Sequence, residues 1–152
     1  MIIHPVSVSI ITQAVERVLS ADHRLADATV TRSAEMNEDP GRCPWLGIYR
    51  ADCQFPSRTL GLGQGYRGQR VQVMILAQES DGGSGAACED RLNALVDNVV
   101  SALLTDATLG GAALGIDEFS VRYPDYRRVN DNEFMQTAMI VFTALAHVGG
   151  TQ

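Results

Sequence analysis

Cysteine and histidine are the side chains of this sequence with which a metal site or a nucleophilic centre could be built. There are three of each. The cysteines form no CxxC pair, and no histidine stands at metal-ligand spacing from them. The histidines lie far apart, near the termini or a helix end, so neither a metal site nor an acid–base pair is predicted. These residues are Cys43, Cys53, Cys88, His4, His23 and His147.

The thiols are expected to be reduced, with a Cys43–Cys53 disulfide across a hairpin as the alternative. Cys88 lies near the start of a predicted helix, where the pKa of a thiol can fall. A catalytic thiol needs a base beside it, and the sequence offers no histidine for that role. We therefore interpret Cys88 as a structural residue.

A glycine-rich segment, residues 61–68, superficially resembles a loop that binds phosphate. A dinucleotide-binding fingerprint joins a strand to a following helix, whereas these glycines precede a strand. Acidic residues between positions 39 and 81 lack the alternating spacing of a calcium loop. The sequence therefore predicts no cofactor, no metal ion and no catalytic residue.

Composition excludes some classes of partner. The 152 residues carry a net charge of −6, and all 12 basic residues are arginine. An acidic chain does not coat nucleic acid, although DNA could pass beside it without sticking. No run of about 18 apolar residues is present, so no membrane segment is expected. The chain is expected to form one domain over residues 1–152 and to be made in the cytoplasm.

The spacing of apolar residues predicts two amphipathic helices, which would position the functional side chains. Residues 88–104 place apolar side chains on one stripe, with Ser84 or Asp81 as the cap. Residues 5–20 form a second such helix, with Pro5 in its first turn.

Strands are predicted at 29–33, 45–53, 70–79 and 133–148, with a shorter strand from Phe119 that ends at Pro124. The last strand would span roughly 50 Å, about twice an average strand, so it should bend at a bulge or reach past its own domain. Its middle is apolar on both faces, as expected of a strand covered on both sides. The fold class is therefore α+β, a mainly antiparallel sheet with two amphipathic helices packed on one face and an extended arm.

The arm is residues 54–70, which we interpret as an exposed, loose hairpin because few of its residues suit a core. Aromatic and arginine side chains are concentrated in or near such irregular segments, and these types are enriched in protein interfaces. We predict that they form the arm and an oligomer interface. The residues are Trp45, Tyr49, Arg58, Tyr66, Arg67, Arg70, Arg122 and Tyr126.

Five segments together resemble the tail-terminator proteins of long-tailed, lambda-like bacteriophages. The resemblance lies in the order and lengths of the elements rather than in a short motif. The segments are "SIITQAVERVLSAD", "CPWLGIYRA", "RVQVMILAQE", "CEDRLNALVDNVVSALLTD" and "NEFMQTAMIVFTAL".

This resemblance implies a structural protein of the virion with no catalytic residues. It implies a hexameric ring that caps the tail tube, stops its polymerisation and joins it to the head. The partners would be further copies of the chain, the tail tube protein and a head-completion or connector protein. DNA would pass through the lumen without specific binding. The expected location is the head-proximal end of the tail, and the host cytoplasm during assembly.

Two alternatives remain open. The chain could be a head–tail connector or a tail-tube subunit, which belongs to the same class of assembly proteins. It could also be a small enzyme or ligand-binding domain that uses residues 61–68.

Overall fold

The computed structural model describes the backbone of residues 2–4, 7–54, 69–130, 133–146 and 149–151. Side chains are described for 7–54, 69–124 and 133–146. The helices are α1 (Val8–Ala21) and α2 (Gly85–Thr105), with short 3₁₀ turns at His23–Leu25 and Pro40–Arg42. The strands are β1 (Ile2–His4), β2 (Thr29–Arg32), β3 (Trp45–Gln54), β4 (Gln69–Asp81), β5 (Gly115–Asn130), β6 (Glu133–Ala146) and β7 (Gly149–Thr151).

Five strands form one sheet in the order β2-β3-β4-β6-β5. β2 runs parallel to β3, and all other neighbours in this sheet are antiparallel. β1 and β7 form a separate antiparallel pair. The prediction of an α+β fold with a mainly antiparallel sheet is confirmed.

Helix α2 begins where a serine caps it. The Ser84 hydroxyl accepts a hydrogen bond from the backbone N–H of Ala87, which confirms the first of the two predicted caps. Asp81 instead accepts from the N–H groups of Gly83 and Ser84 and so orders the turn before the helix. The predicted apolar side of the helix is largely buried. Leu104 is 59% exposed although Leu103 beside it is fully buried, because Leu104 points away from the buried side of α2.

Helix α1 begins at Val8, capped by the side chain of Ser7. The predicted start was residue 5, and Pro5 lies outside the described residues. The buried side of α1, which includes Ile11 and Leu19, shares one core with α2 and with the buried residues of β3, β4 and β6. Both helices therefore lie on the same face of the sheet, as predicted.

The prediction for β5 is wrong at both ends. β5 runs from residue 115 to 130 and passes through Pro124, because an edge strand has one side without a neighbour and tolerates proline. β6 spans Glu133–Ala146 and pairs with β4 without a register shift, and the predicted last two residues of this strand, 147–148, lie outside the described residues. The expected bulges occur instead in β3, between Arg50 and Cys53, and at three places in β5.

The connection after α2 closes one end of the core. Leu109 has a φ of 52° and is 1% exposed, so an apolar side chain plugs the core from a left-handed position. Gly110 and Gly111 follow with φ values of 68° and 93°, a region in which glycine carries no steric penalty. This connection, which is rich in small residues, therefore closes one end of the core.

Candidate interaction surface

The face of the sheet opposite the helices, here called the outer face, carries apolar side chains that no described helix covers. Along β4, Val71, Val73 and Ile75 are fully buried on the helical side. Successive strand residues point to opposite faces, so Met74 and Leu76 lie on the outer face, where both are half-buried.

Strand register extends this apolar character across the sheet. Leu76 pairs with Met139 of β6, and Met74 pairs with Val141. These four half-buried side chains, here called the apolar stripe, lie side by side on β4 and β6. A contiguous apolar area with polar surroundings is typical of a surface that binds another protein.

Residues 33–44 pass over one end of the outer face and are tied to it by hydrogen bonds. Asn37 is 4% exposed and donates from Nδ2 to Oε1 of Gln78, at 3.1 Å. Gln78 in turn donates to Oγ1 of Thr137, at 3.4 Å. The hydroxyl of Ser80 donates to the carbonyl of Pro40, at 3.0 Å. These bonds hold the segment in one position over β4.

Trp45 lies at the same end of the sheet, in register with Gln78. Its side chain is fully buried, and its Nε1 donor has no hydrogen-bond partner among the described residues. The ring lies so close to Gly47 that a Cβ there would be 2.5 Å from Cη2 of Trp45 and 2.9 Å from Cε2 of Tyr49. Glycine is therefore required at position 47 for the indole to pack against the sheet.

Charged and polar side chains occupy the other end of the outer face. Arg70 Nη1 lies 3.2 Å from Oε1 of Glu118, and Oγ1 of Thr143 donates to Oε2 of the same carboxylate at 3.2 Å. Glu118 has a φ of 57° and lies in the bulge of β5 between Asp117 and Ser120. These groups line an open cavity of about 230 Å³.

Cys88, the thiol predicted near a helix start, does not have the lowered pKa of an activated nucleophile. Burial raises the pKa of Cys88, whose Sγ donates to the carbonyls of Glu79 and Phe134. Burial also raises the pKa of Cys43, to about 11. All three cysteines are free, so the alternative Cys43–Cys53 disulfide is absent. Within the described ranges, no group of histidine, cysteine and acidic residues could hold a metal ion.

The predicted interface residues are placed as follows. Trp45 is buried, and Tyr49 is partly buried and donates its hydroxyl to the carbonyl of Ala34, at 2.6 Å. Arg70 and Arg122 are exposed. No side chain is described for the other four predicted residues, which are Arg58, Tyr66, Arg67 and Tyr126. Of these, Tyr126 belongs to β5.

The arm predicted at 54–70 is shorter at both ends, because Gln54 belongs to β3 and Gln69 and Arg70 belong to β4. Residues 55–68, with the glycine-rich segment, lie outside the described residues. The apolar stripe was not among the predicted interface residues. Its signal was present in the sequence, since β4 and β6 are apolar on both faces.

No protein-family model matches the sequence, and neither does any curated protein. Among the similar solved structures, one aligns over 93% of this chain and 97% of its own length, with 16% identity and a TM-score of 0.47. Its name describes no function, and the likeness carries no argument about this chain.

In the part of the chain that the structure describes, neither α1 nor α2 combines the length and the apolar character needed to cross a bilayer.

Proposed function

We propose that this chain is a structural subunit of a phage tail, which assembles into a ring, caps the tail tube and joins it to the head. The observation that carries the proposal is the apolar stripe on the outer face. β4 and β6 are apolar on both sides, which is typical of strands covered on both sides. In the described chain, helices cover one side only. A second copy of the chain would provide the missing cover.

The resemblance to tail-terminator proteins gives this self-association its biological setting. The main elements follow the order helix, three strands, helix and two strands. This is the order on which the resemblance is based. In this proposal the ring is hexameric, binds the tail tube protein on one side and a head-completion protein on the other, and lets DNA pass without binding it.

The first experiment measures assembly of the purified protein by light scattering after size exclusion, together with electron microscopy. We expect closed rings, and we expect added tail tubes to carry a ring at one end. Filaments of this protein alone would favour a tube subunit instead. A chain that remains monomeric and never binds tube ends would contradict the proposal.

A variant pair tests whether the outer face makes the contact. Met139→Glu places a charge in the apolar stripe on a half-buried position and should abolish assembly while the monomer still folds. The matched control is Ile10→Glu, since Ile10 is 48% exposed on α1 and lies away from the outer face. Circular dichroism verifies folding of both variants. Rings formed equally well by Met139→Glu would contradict a contact through this face.

A further inference from the structure

Opposite charges lie on two sides of the apolar stripe. On one side is the acidic loop, residues 35–42, which is held over β4. On the other side is the basic edge, Arg122 and Tyr123 of the edge strand β5. The two patches belong to different parts of one chain, so every copy would carry both.

The acidic loop presents charge and one apolar side chain in a fixed conformation. Glu35, Glu38 and Asp39 are exposed, and Met36 is 44% exposed between them. Arg42 is the one cation of this loop, so three carboxylates outnumber it. Glu35 and Glu38 form no ion pair with any described residue. The loop borders an open cleft of about 730 Å³.

Hydrogen bonds prepare this loop for binding. The buried Asn37 amide donates to the carbonyl of Asp39, at 2.9 Å, as well as to Gln78. The backbone N–H of Asp39 donates in return to Oδ1 of Asn37, at 3.0 Å. A loop that is already ordered loses little conformational entropy on binding.

The basic edge has complementary properties. Arg122 pairs in register with Met139, so it lies on the outer face beside the apolar stripe. It is exposed and makes no ion pair with the described residues. Tyr123 next to it is 56% exposed and lies at the register shift between Arg122 and Asp125. Arginine is one of the side chains that contribute most often to binding energy in protein interfaces.

We propose that the acidic loop of one copy docks against the basic edge of the next copy. Glu35 and Glu38 would pair with Arg122, and Met36 would pack on the apolar stripe between the two patches. The two surfaces differ, so the contact is heterologous and repeats from copy to copy until the rotation closes a ring. The inference rests on the proposed ring and names the contacts that build it.

Charge reversal with rescue tests the contact. The loop-swapped variant carries Glu35→Arg and Glu38→Arg, and the edge-swapped variant carries Arg122→Glu. Each alone brings like charges together and should lower the association constant by about tenfold or more, measured by light scattering. An equimolar mixture of the two restores complementary contacts at every junction. A third variant that carries all three changes should likewise assemble by itself.

The matched control reverses two charges elsewhere. Glu89→Arg with Asp97→Arg changes the net charge as much as the loop-swapped variant does, at exposed positions of α2. This control should assemble like the wild type. Circular dichroism verifies that each variant is folded.

The outcomes separate the contact from the ring. If the wild type assembles and both single swaps assemble equally well, the proposed contact is wrong and ring assembly stands. If the variant with all three changes stays dissociated while remaining folded, the contact is also wrong. If the wild type stays monomeric at every concentration, ring assembly itself is contradicted, and the contact with it.

Discussion

Arg70 and Glu118 form an ion pair of 3.2 Å between two strands that are not neighbours in the sheet. Arg70 is the second residue of β4 and Glu118 belongs to β5, with β6 between them. Thr143 of β6 donates to the same carboxylate, so one side chain links three strands. A bulge and a left-handed φ at Glu118 allow its carboxylate to reach across the sheet.

The first prediction concerns the energy of this pair. The two side chains are 47% and 59% exposed, so water and salt screen their attraction. A double-mutant cycle with Arg70→Gln and Glu118→Gln should give a coupling of about 0.2–1 kcal/mol by urea unfolding. The coupling should fall as salt is added. Arg122→Gln combined with Glu118→Gln is the control, and an equal coupling there would contradict a specific pair.

The second prediction concerns Gly47. A Cβ at this position would lie within 3 Å of the Trp45 and Tyr49 rings. Trp45 is fully buried and Tyr49 is held by its hydrogen bond to Ala34, so neither ring can move away freely. Gly47→Ala should lower the free energy of unfolding by about 1–3 kcal/mol.

Gly115→Ala is the matched control for Gly47→Ala, since a Cβ there meets nothing within 4 Å. It should change the free energy of unfolding by less than about 1 kcal/mol. Trp45 is the single tryptophan, so its fluorescence follows unfolding in both variants. Equal effects at the two positions would contradict the crowding at Gly47.

Local periodicity predicted the two helices and the central strands well, because their apolar side chains recur with the period of each element. Leu95 and Val99 on α2 and Val73 and Ile75 on β4 follow that rule and are buried as expected. The pairing of β1 with β7 joins the two ends of the chain. Such a contact leaves no local pattern in the sequence, so it was not predicted.

The length of β5 and the outer face depend on tertiary context. Pro124 resembles a strand terminator, and only its position at the sheet edge makes it acceptable. The outer face required knowledge of which side the helices cover. Apolar residues such as Met139 and Val141 predicted cover on both faces of the last strand, but periodicity does not say whether that cover belongs to the same chain.

The third prediction concerns acid stability. Hydrogen bonds from the Arg24 guanidinium lower the pKa of Asp22 to about 2, from 3.8. Between these two pH values the unfolded chain binds the proton and the folded chain does not. The pair therefore contributes stability above pH 4, and this contribution is lost as the pH falls towards 2.

Asp22→Asn isolates this contribution. Asparagine still accepts the N–H of Arg24 at the start of the 3₁₀ turn, but it does not titrate. Unfolding curves between pH 2 and 5 should show a shallower loss of stability for the variant. Hydrogen bonds from the backbone N–H groups of Gly83 and Ser84 also lower the pKa of Asp81. Asp81 titrates in both proteins, so its contribution cancels in the difference between their stabilities. Identical pH profiles would contradict the assignment.

The fourth prediction orders the reactivity of the thiols. Cys88 is fully buried, and its Sγ is hydrogen-bonded to the carbonyls of Glu79 and Phe134. An aromatic disulfide reagent should therefore label Cys88 only after unfolding. With a pKa of about 11, the Cys43 thiol is ionised to about one part in a thousand at pH 8 and should react slowly.

Mass spectrometry of labelled peptides distinguishes the three positions. Cys43→Ser should remove the slow phase of labelling in the native protein, and denaturant should expose Cys88 together with the loss of helical circular dichroism. Cys88 contacts the backbone of β4 and β6, so its labelling reports the opening of the core between α2 and the sheet. Rapid labelling of Cys88 in the native protein would show that α2 separates from the sheet without global unfolding. The buried apolar side of α2 argues against such a separation.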